Sequence, residues 1–122
     1  MNRRRLGDFG ERMAIALLES KGYLIRETNF RTRYGEIDII AEKDESLVFV
    51  EVRAKRGDAM GSAAESIDRR KRKRLVMLAQ LYCQQQSPLP STWRLDVISV
   101  DLTKDGKLSE IRHITNAIED ES

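Results

Sequence analysis

A carboxylate and a cation stand two residues apart in Phe49-Val50-Glu51-Val52-Arg53, inside an otherwise apolar run. An earlier run, Gly35-Glu36-Ile37-Asp38-Ile39-Ile40, carries two further acids. Both runs have strand composition. Side chains alternate faces along a strand, so Glu51 and Arg53 share one face of theirs, as Glu36 and Asp38 share one face of theirs. If the strands pair, the acids and the cation converge. Two carboxylates about 4 Å apart repel by several kcal/mol at an effective dielectric of about 20, and burying them among Val, Ile and Phe adds a desolvation cost. A divalent cation removes both penalties. With one histidine and one cysteine in the chain, zinc is argued against. Mg²⁺, with Mn²⁺ as the alternative, takes few carboxylates and completes its shell with water and phosphate oxygens.

Those side chains need a frame, and 122 residues suffice for one domain with one core. A hydrophobic fraction of 40% beside a charged fraction of 34% describes a globular chain rich in charge. The lone cysteine, Cys83, has no internal disulfide partner and is expected in the core, which indicates a reducing, cytoplasmic setting. Met1-Asn2-Arg3-Arg4-Arg5 opens like a signal peptide, but Asp8 and Glu11 follow and the apolar run 13–18 is too short; no membrane span is expected. The net charge of +2 is small, so its distribution carries the information. Positive charge gathers at Arg3-Arg4-Arg5, Arg31 and Arg33, Arg53-Lys55-Arg56 and the unbroken run from Arg69 to Arg74, whereas Glu119-Asp120-Glu121 closes the chain with acid.

The spacing of Phe9, Met13, Ala16 and Leu17 predicts a helix over residues 6–21, with Gly22 as its stop. Strands are predicted over 23–30, 36–41 and 47–55, the last two joined by a polar turn over 42–46 as an antiparallel hairpin. A loop over 57–61 leads to a long helix over 62–86, whose stripe is Leu75, Leu78, Ala79 and Tyr82 and whose main section starts at Asp68 or Ser66. Pro88 and Pro90 end it before a strand over 93–102, and 111–115 reads as a short edge strand. A crossover helix after a meander lets the next strand run parallel to a neighbour, which gives an α/β fold with a mixed sheet flanked by helices. The single domain spans 1–122, with residues 1–5 and 117–122 expected as flexible ends.

This order, with an acid on the first helix, an acid on the second strand and Glu-x-(Lys/Arg) on the third, resembles the PD-(D/E)xK nuclease superfamily, of which archaeal Holliday junction resolvases are the nearest characterised type. Gly7-Asp8-Phe9-Gly10-Glu11, Gly35-Glu36-Ile37-Asp38, Val48-Phe49-Val50-Glu51-Val52-Arg53, Lys71 with Leu75, and Arg94-Leu95-Asp96-Val97 are similar, more specifically, to the YraN-like family of bacterial predicted endonucleases. The resemblance implies a restriction-endonuclease-like αβββαβ core that hydrolyses DNA phosphodiester bonds, branched DNA included, and it implies a homodimer. It assigns Mg²⁺ to Asp38 and Glu51, an assisting role to Glu11, phosphate contact to Lys71, and the position of the superfamily's lysine to Arg53. Arginine stays protonated and cannot be a general base, so Arg53 is left to stabilise phosphate charge, with Lys55 on the same face as a substitute. That departure recommends a rival reading, a nucleic-acid-binding protein that keeps the nuclease frame with weak or no cleavage.

Several residues have two readings. Asp38 with Glu51 is either a metal pair or a pair of acids held by Arg53, and Glu36 is the alternative ligand to Asp38. Glu11 shares a helix face with Ile15 and Leu18, so it leans inward and either joins the metal site or pairs with Arg12 or a backbone group. Gly10 and Gly7 would allow this helix close to the sheet, though loop entry also explains Gly7. Residues 69–74 cover more than one turn and are either a solvated face or a polyanion contact. Arg31 and Arg33 are expected in a loop beside the acidic strand, where they either guide a nucleic-acid backbone or face solvent. Trp93 and Tyr82 are expected in the core, and His113 at the surface or a sheet edge.

Overall fold

The computed structural model describes residues 2–57 and 67–119, in the order α1 (Arg3–Ser20), β1 (Leu24–Thr32), β2 (Gly35–Lys43), β3 (Ser46–Arg56), α2 (Arg69–Gln84), β4 (Thr92–Leu102) and β5 (Leu108–Ile118). The strands form one five-stranded sheet in chain order. β1, β2 and β3 are an antiparallel meander, β4 runs parallel to β3 from Ser46↔Thr92 to Arg56↔Leu102 after the α2 crossover, and β5 returns antiparallel along β4. This is the expected mixed α/β architecture, consistent with an αβββαβ core. The 44–45 turn is tighter than a five-residue loop. Asp44 and Glu45 both hold positive φ (50° and 67°), the backbone of a two-residue hairpin turn whose twist matches the strands.

Each face of the sheet buries one helix. Leu47, Phe49, Leu95 and Val97 pack with Leu75, Leu78, Ala79 and Tyr82 of α2, while Val48, Val50, Ile98 and Val100 pack with Ala14 and Leu18 of α1. The alternation on β3 and β4 is regular, as a sheet covered on both faces requires. On β2 it breaks. Ile37 belongs to the α2 layer and Ile39, two positions on, to the α1 layer, so the strand changes face at Asp38. The β2–β3 ladder begins only at Ile39↔Val50, while β2 stays paired to β1 as far as Gly35. β2 and β3 therefore fork at Asp38. On β1, Asn29 lies between the partners of Ile39 and Ile37 and holds a positive φ of 53°, which lets the ribbon bend there.

α1 starts at Arg3 rather than residue 6 because Asn2 caps it, its side-chain oxygen accepting from Arg5 N at 2.9 Å. Its buried line is Gly10, Ala14 and Leu18; Ala16, expected on the apolar face, is exposed. Gly22 ends the helix at φ 87°, and Tyr23 N donates back to Leu18 O. Asp68 caps α2, accepting from Lys71 N at 2.8 Å, while Ser66 lies outside the described residues. β5 is a full-length edge strand rather than the short 111–115 segment, interrupted by two register shifts that blur its alternation. Residues 3–5 form the opening turn of α1, and 117–118 end β5. Most of the predicted 57–61 loop, the start of the predicted 62–86 helix and residues 120–122 lie outside the described residues.

Candidate active site

At the fork, Val52 N has lost a ladder partner on β2, and Asp38 Oδ2 takes its place as acceptor at 2.8 Å. That bond turns the Asp38 carboxyl across to β3. There it meets Glu51, which is only 4% exposed, and the two side chains share a cleft of about 250 Å³ lined also by Gly35, Glu36, Lys71, Arg74 and Leu75. The Asp38 carboxyl is pushed up to about 8, first by burial and then by its hydrogen bond to Glu51 and the charge of Glu51, with the Val52 N–H opposing. A carboxyl buried beside a second acid ionises only at a cost, so Asp38 keeps its proton at neutral pH.

Cations come from both sides of the core. The Lys71 ammonium, on the first turn of α2, stands 2.7 Å from Glu51 Oε2, and Arg53 Nη2 stands 3.8 Å from the same oxygen. Oε2 is nonetheless buried without a well-aligned hydrogen bond, so Lys71 approaches it as a charge and not along the hydrogen-bonding direction. The Nε atoms of Arg53 and Arg72 are also buried without an acceptor among the described residues. Gly35 makes room for Arg74: a Cβ at this position would lie 2.9 Å from Arg74 Cδ, and its φ is 146°. Arg74 was hidden in the sequence among six successive cations; only the packing of α2 distinguishes it.

A second cleft, of about 370 Å³, opens on the α1 side and is lined by Arg3, Arg4, Glu11, Asn29 and Arg31 among others. Glu36 and Asp38 line both clefts, which therefore meet at the fork. Gly10 allows this contact, since a Cβ there would lie 2.9 Å from Ala54 Cβ on β3; Gly7 has nothing within 4 Å and plays no such part. Glu11 Oε1 accepts from Asn29 Nδ2 at 2.9 Å, neither pairing with Arg12 nor capping backbone, and burial raises its carboxyl while Asn29 opposes. Asn29 was not legible as a site residue. Arg31 lies on β1 rather than in a loop and pairs with Glu36 at 3.1 Å, which engages Glu36 at the surface. Arg33 stands in the turn with its guanidinium 4.8 Å from the Tyr34 ring, and Lys55 follows Arg53 on β3; neither lines these two clefts.

The residues present fit a hard divalent cation, on the strength of paired carboxylates, a buried oxygen lacking an aligned donor, and an all-oxygen set. Among the described residues no group of three or more His, Cys, Asp and Glu is gathered at metal-ligand spacing, so the candidate centre is the pair Asp38 and Glu51, with Glu11 further along the fork.

The model of the uncharacterised protein family UPF0102 matches residues 10–100. The chain belongs to that family. It is 43% identical over 119 residues to a UPF0102 protein of Roseiflexus castenholzii, which covers 97% of this chain and 96% of that one. It is 45% identical over 114 residues to one of Syntrophomonas wolfei (93% and 97%) and 37% identical over 117 residues to one of Dictyoglomus thermophilum (96% and 99%).

This UPF0102 chain holds a second polar cluster away from the fork. Asp96 is fully buried and accepts from Arg94 Nε at 3.0 Å and Asn116 N at 2.9 Å, with His113 Nε2 at 2.8 Å. The His113 side chain is 2% exposed, so it is on the edge strand as expected but is not a surface residue; Asp96 draws it in. Lys21 Nζ lies 3.0 Å from His113 Nδ1, and an ammonium can only donate, so Nδ1 accepts and Nε2–H donates to Asp96. Burial alone would raise the Asp96 carboxyl, but hydrogen bonds from His113 and Arg94 outweigh it and hold it low. The cluster ties β4, β5 and the end of α1 together. Tyr82 and Cys83 are buried and Trp93 half-buried against them, the core roles expected of them.

Proposed function

We propose that this UPF0102 chain is a Mg²⁺-dependent endonuclease that hydrolyses DNA phosphodiester bonds, branched DNA included. The observation that carries the reading is the meeting of Asp38 and Glu51 in one cleft with Lys71 and Arg74, because paired acids ringed by cations suit a metal and a phosphate together. Asp38 and Glu51 would hold the ion, which when bound supplies Lewis acidity and an activated water. Glu11, fixed by Asn29, would accept a hydrogen bond from water at the α1 end of the fork. Arg53, Arg74 and Lys71 would take the charge of the phosphate, and Arg31 would guide the backbone along the second cleft. Incubation of the protein with labelled duplex, nicked and four-way DNA in Mg²⁺ or Mn²⁺ tests this. Cleavage is expected, with a loss of about 10²-fold or more in Asp38→Ala and in Glu51→Ala. Cleavage that survives both substitutions rejects the site.

Arg53 favours a second reading, a nucleic-acid-binding protein on the same frame without efficient cleavage, since a guanidinium cannot serve as a base. Tight, salt-sensitive DNA binding with no cutting supports it, and a gain of cutting in Arg53→Lys would mark a degenerate site.

A further inference from the structure

The contact between Lys71 and Glu51 has a consequence for any metal that enters. Oε2 of Glu51 faces an ammonium 2.7 Å away, within the space a cation bound to that oxygen would need. The formal charges agree with this. Even with both acids ionised, Asp38 and Glu51 would already be matched by Lys71 and Arg53, so a divalent ion added alone would leave the cleft with an uncompensated charge that phosphate can supply. Lys71 is built to move. It sits on the exposed first turn of α2, its side chain is 39% exposed, and a four-carbon stem carries a compact ammonium with freely turning donors. We infer that Lys71 is a displaceable counter-ion of the centre, which holds Glu51 in the resting protein and cedes it to the metal as its ammonium passes to the arriving phosphate. The inference rests on the metal-centre reading and adds that metal and nucleic acid bind cooperatively, each raising the affinity for the other by the same factor. It gives Lys71 two successive partners, Glu51 and then phosphate, so that its loss separates metal affinity from activity.

Calorimetric titration of Mg²⁺ and of Mn²⁺ tests this, on wild type, Lys71→Met, Lys71→Arg and Asp38→Ala, each with and without a saturating DNA duplex and each checked by thermal melting. Without DNA, Lys71→Met is expected to bind metal about tenfold more tightly than wild type, as removal of a full charge beside a ligand implies. Lys71→Arg, which keeps the charge, stays within about threefold. In wild type alone, DNA is expected to raise metal affinity about tenfold, a measurement that needs no variant. Metal affinity that is unchanged or weaker in Lys71→Met, or indifferent to DNA in wild type, overturns the counter-ion role; loss of binding in Asp38→Ala would still leave the metal centre standing. A wild type that binds no metal with or without DNA removes the centre and the inference together.

Discussion

Asp38 bonds to the Val52 amide on one side and meets Glu51 on the other, and its proton has a measurable effect on folding. Its folded pKa, about 8, lies above the ordinary carboxylate value, so the stability it contributes is fully present below about pH 4 and is lost as pH rises through about 8. Asp38→Asn mimics the protonated acid at all pH values. In EDTA, the wild-type melting temperature should fall between pH 6 and pH 9 while that of Asp38→Asn stays level, leaving the variant about 5 °C higher at pH 9; parallel curves would contradict a proton held by Asp38. Asp96 has the opposite sign: its depressed pKa gives stability that is present above the ordinary value and lost as pH falls through the folded one. Asp96→Ala should cost about 3 kcal/mol in urea unfolding, since it strands Arg94, and leave DNA affinity unchanged. At this scale the acids were legible because apolar neighbours flank them. His113 was not: a lone histidine has no periodicity, and its partner Asp96 lies on another strand. The Lys71–Glu51 contact was likewise invisible, because it depends on how α2 crosses β3.

Gly10 and Ala54 set how closely α1 lies on β3, and so how near Glu11 comes to the fork. Gly10→Ala should cost about 1–3 kcal/mol, because the added methyl meets the Ala54 Cβ in a packed layer. Ala54→Gly in the same chain should recover part of that cost; a double variant no better than Gly10→Ala would place the strain elsewhere. The element order, the crossover and a parallel neighbour for the strand after α2 followed from hydrophobic period and turn residues, whereas the identity of that neighbour, β3, came from the structure. What did not follow was the face switch at Asp38, since Gly35 to Ile40 reads as uniform strand and the fork arises from Asn29 across the ladder. β5 was read short for a related reason: as an edge strand with register shifts it keeps only a weak alternation.

Over the whole molecule, both helices open with cations and without an acid in the first turn, against the helix dipole, at about 0.3–1 kcal/mol for each misplaced charge. A polyanion lying across the fork would offset that cost, since the first turns of both helices border the two joined clefts. DNA affinity should therefore fall steeply with salt, and Arg74→Gln should lower the log–log slope by about 1 if it contacts a phosphate. No helix among the described residues is long and apolar enough to cross a membrane. The homodimer implied by the resemblance is open to sedimentation analysis. The central claim is that Asp38 and Glu51 grip one divalent ion, and proton release tests it most directly. Mg²⁺ titrated at pH 7 into DNA-saturated protein, in buffers of different ionisation enthalpy, should give one binding event that releases about one proton, absent in Asp38→Ala and in Glu51→Ala. Binding without proton release, or binding that persists in either variant, would contradict it.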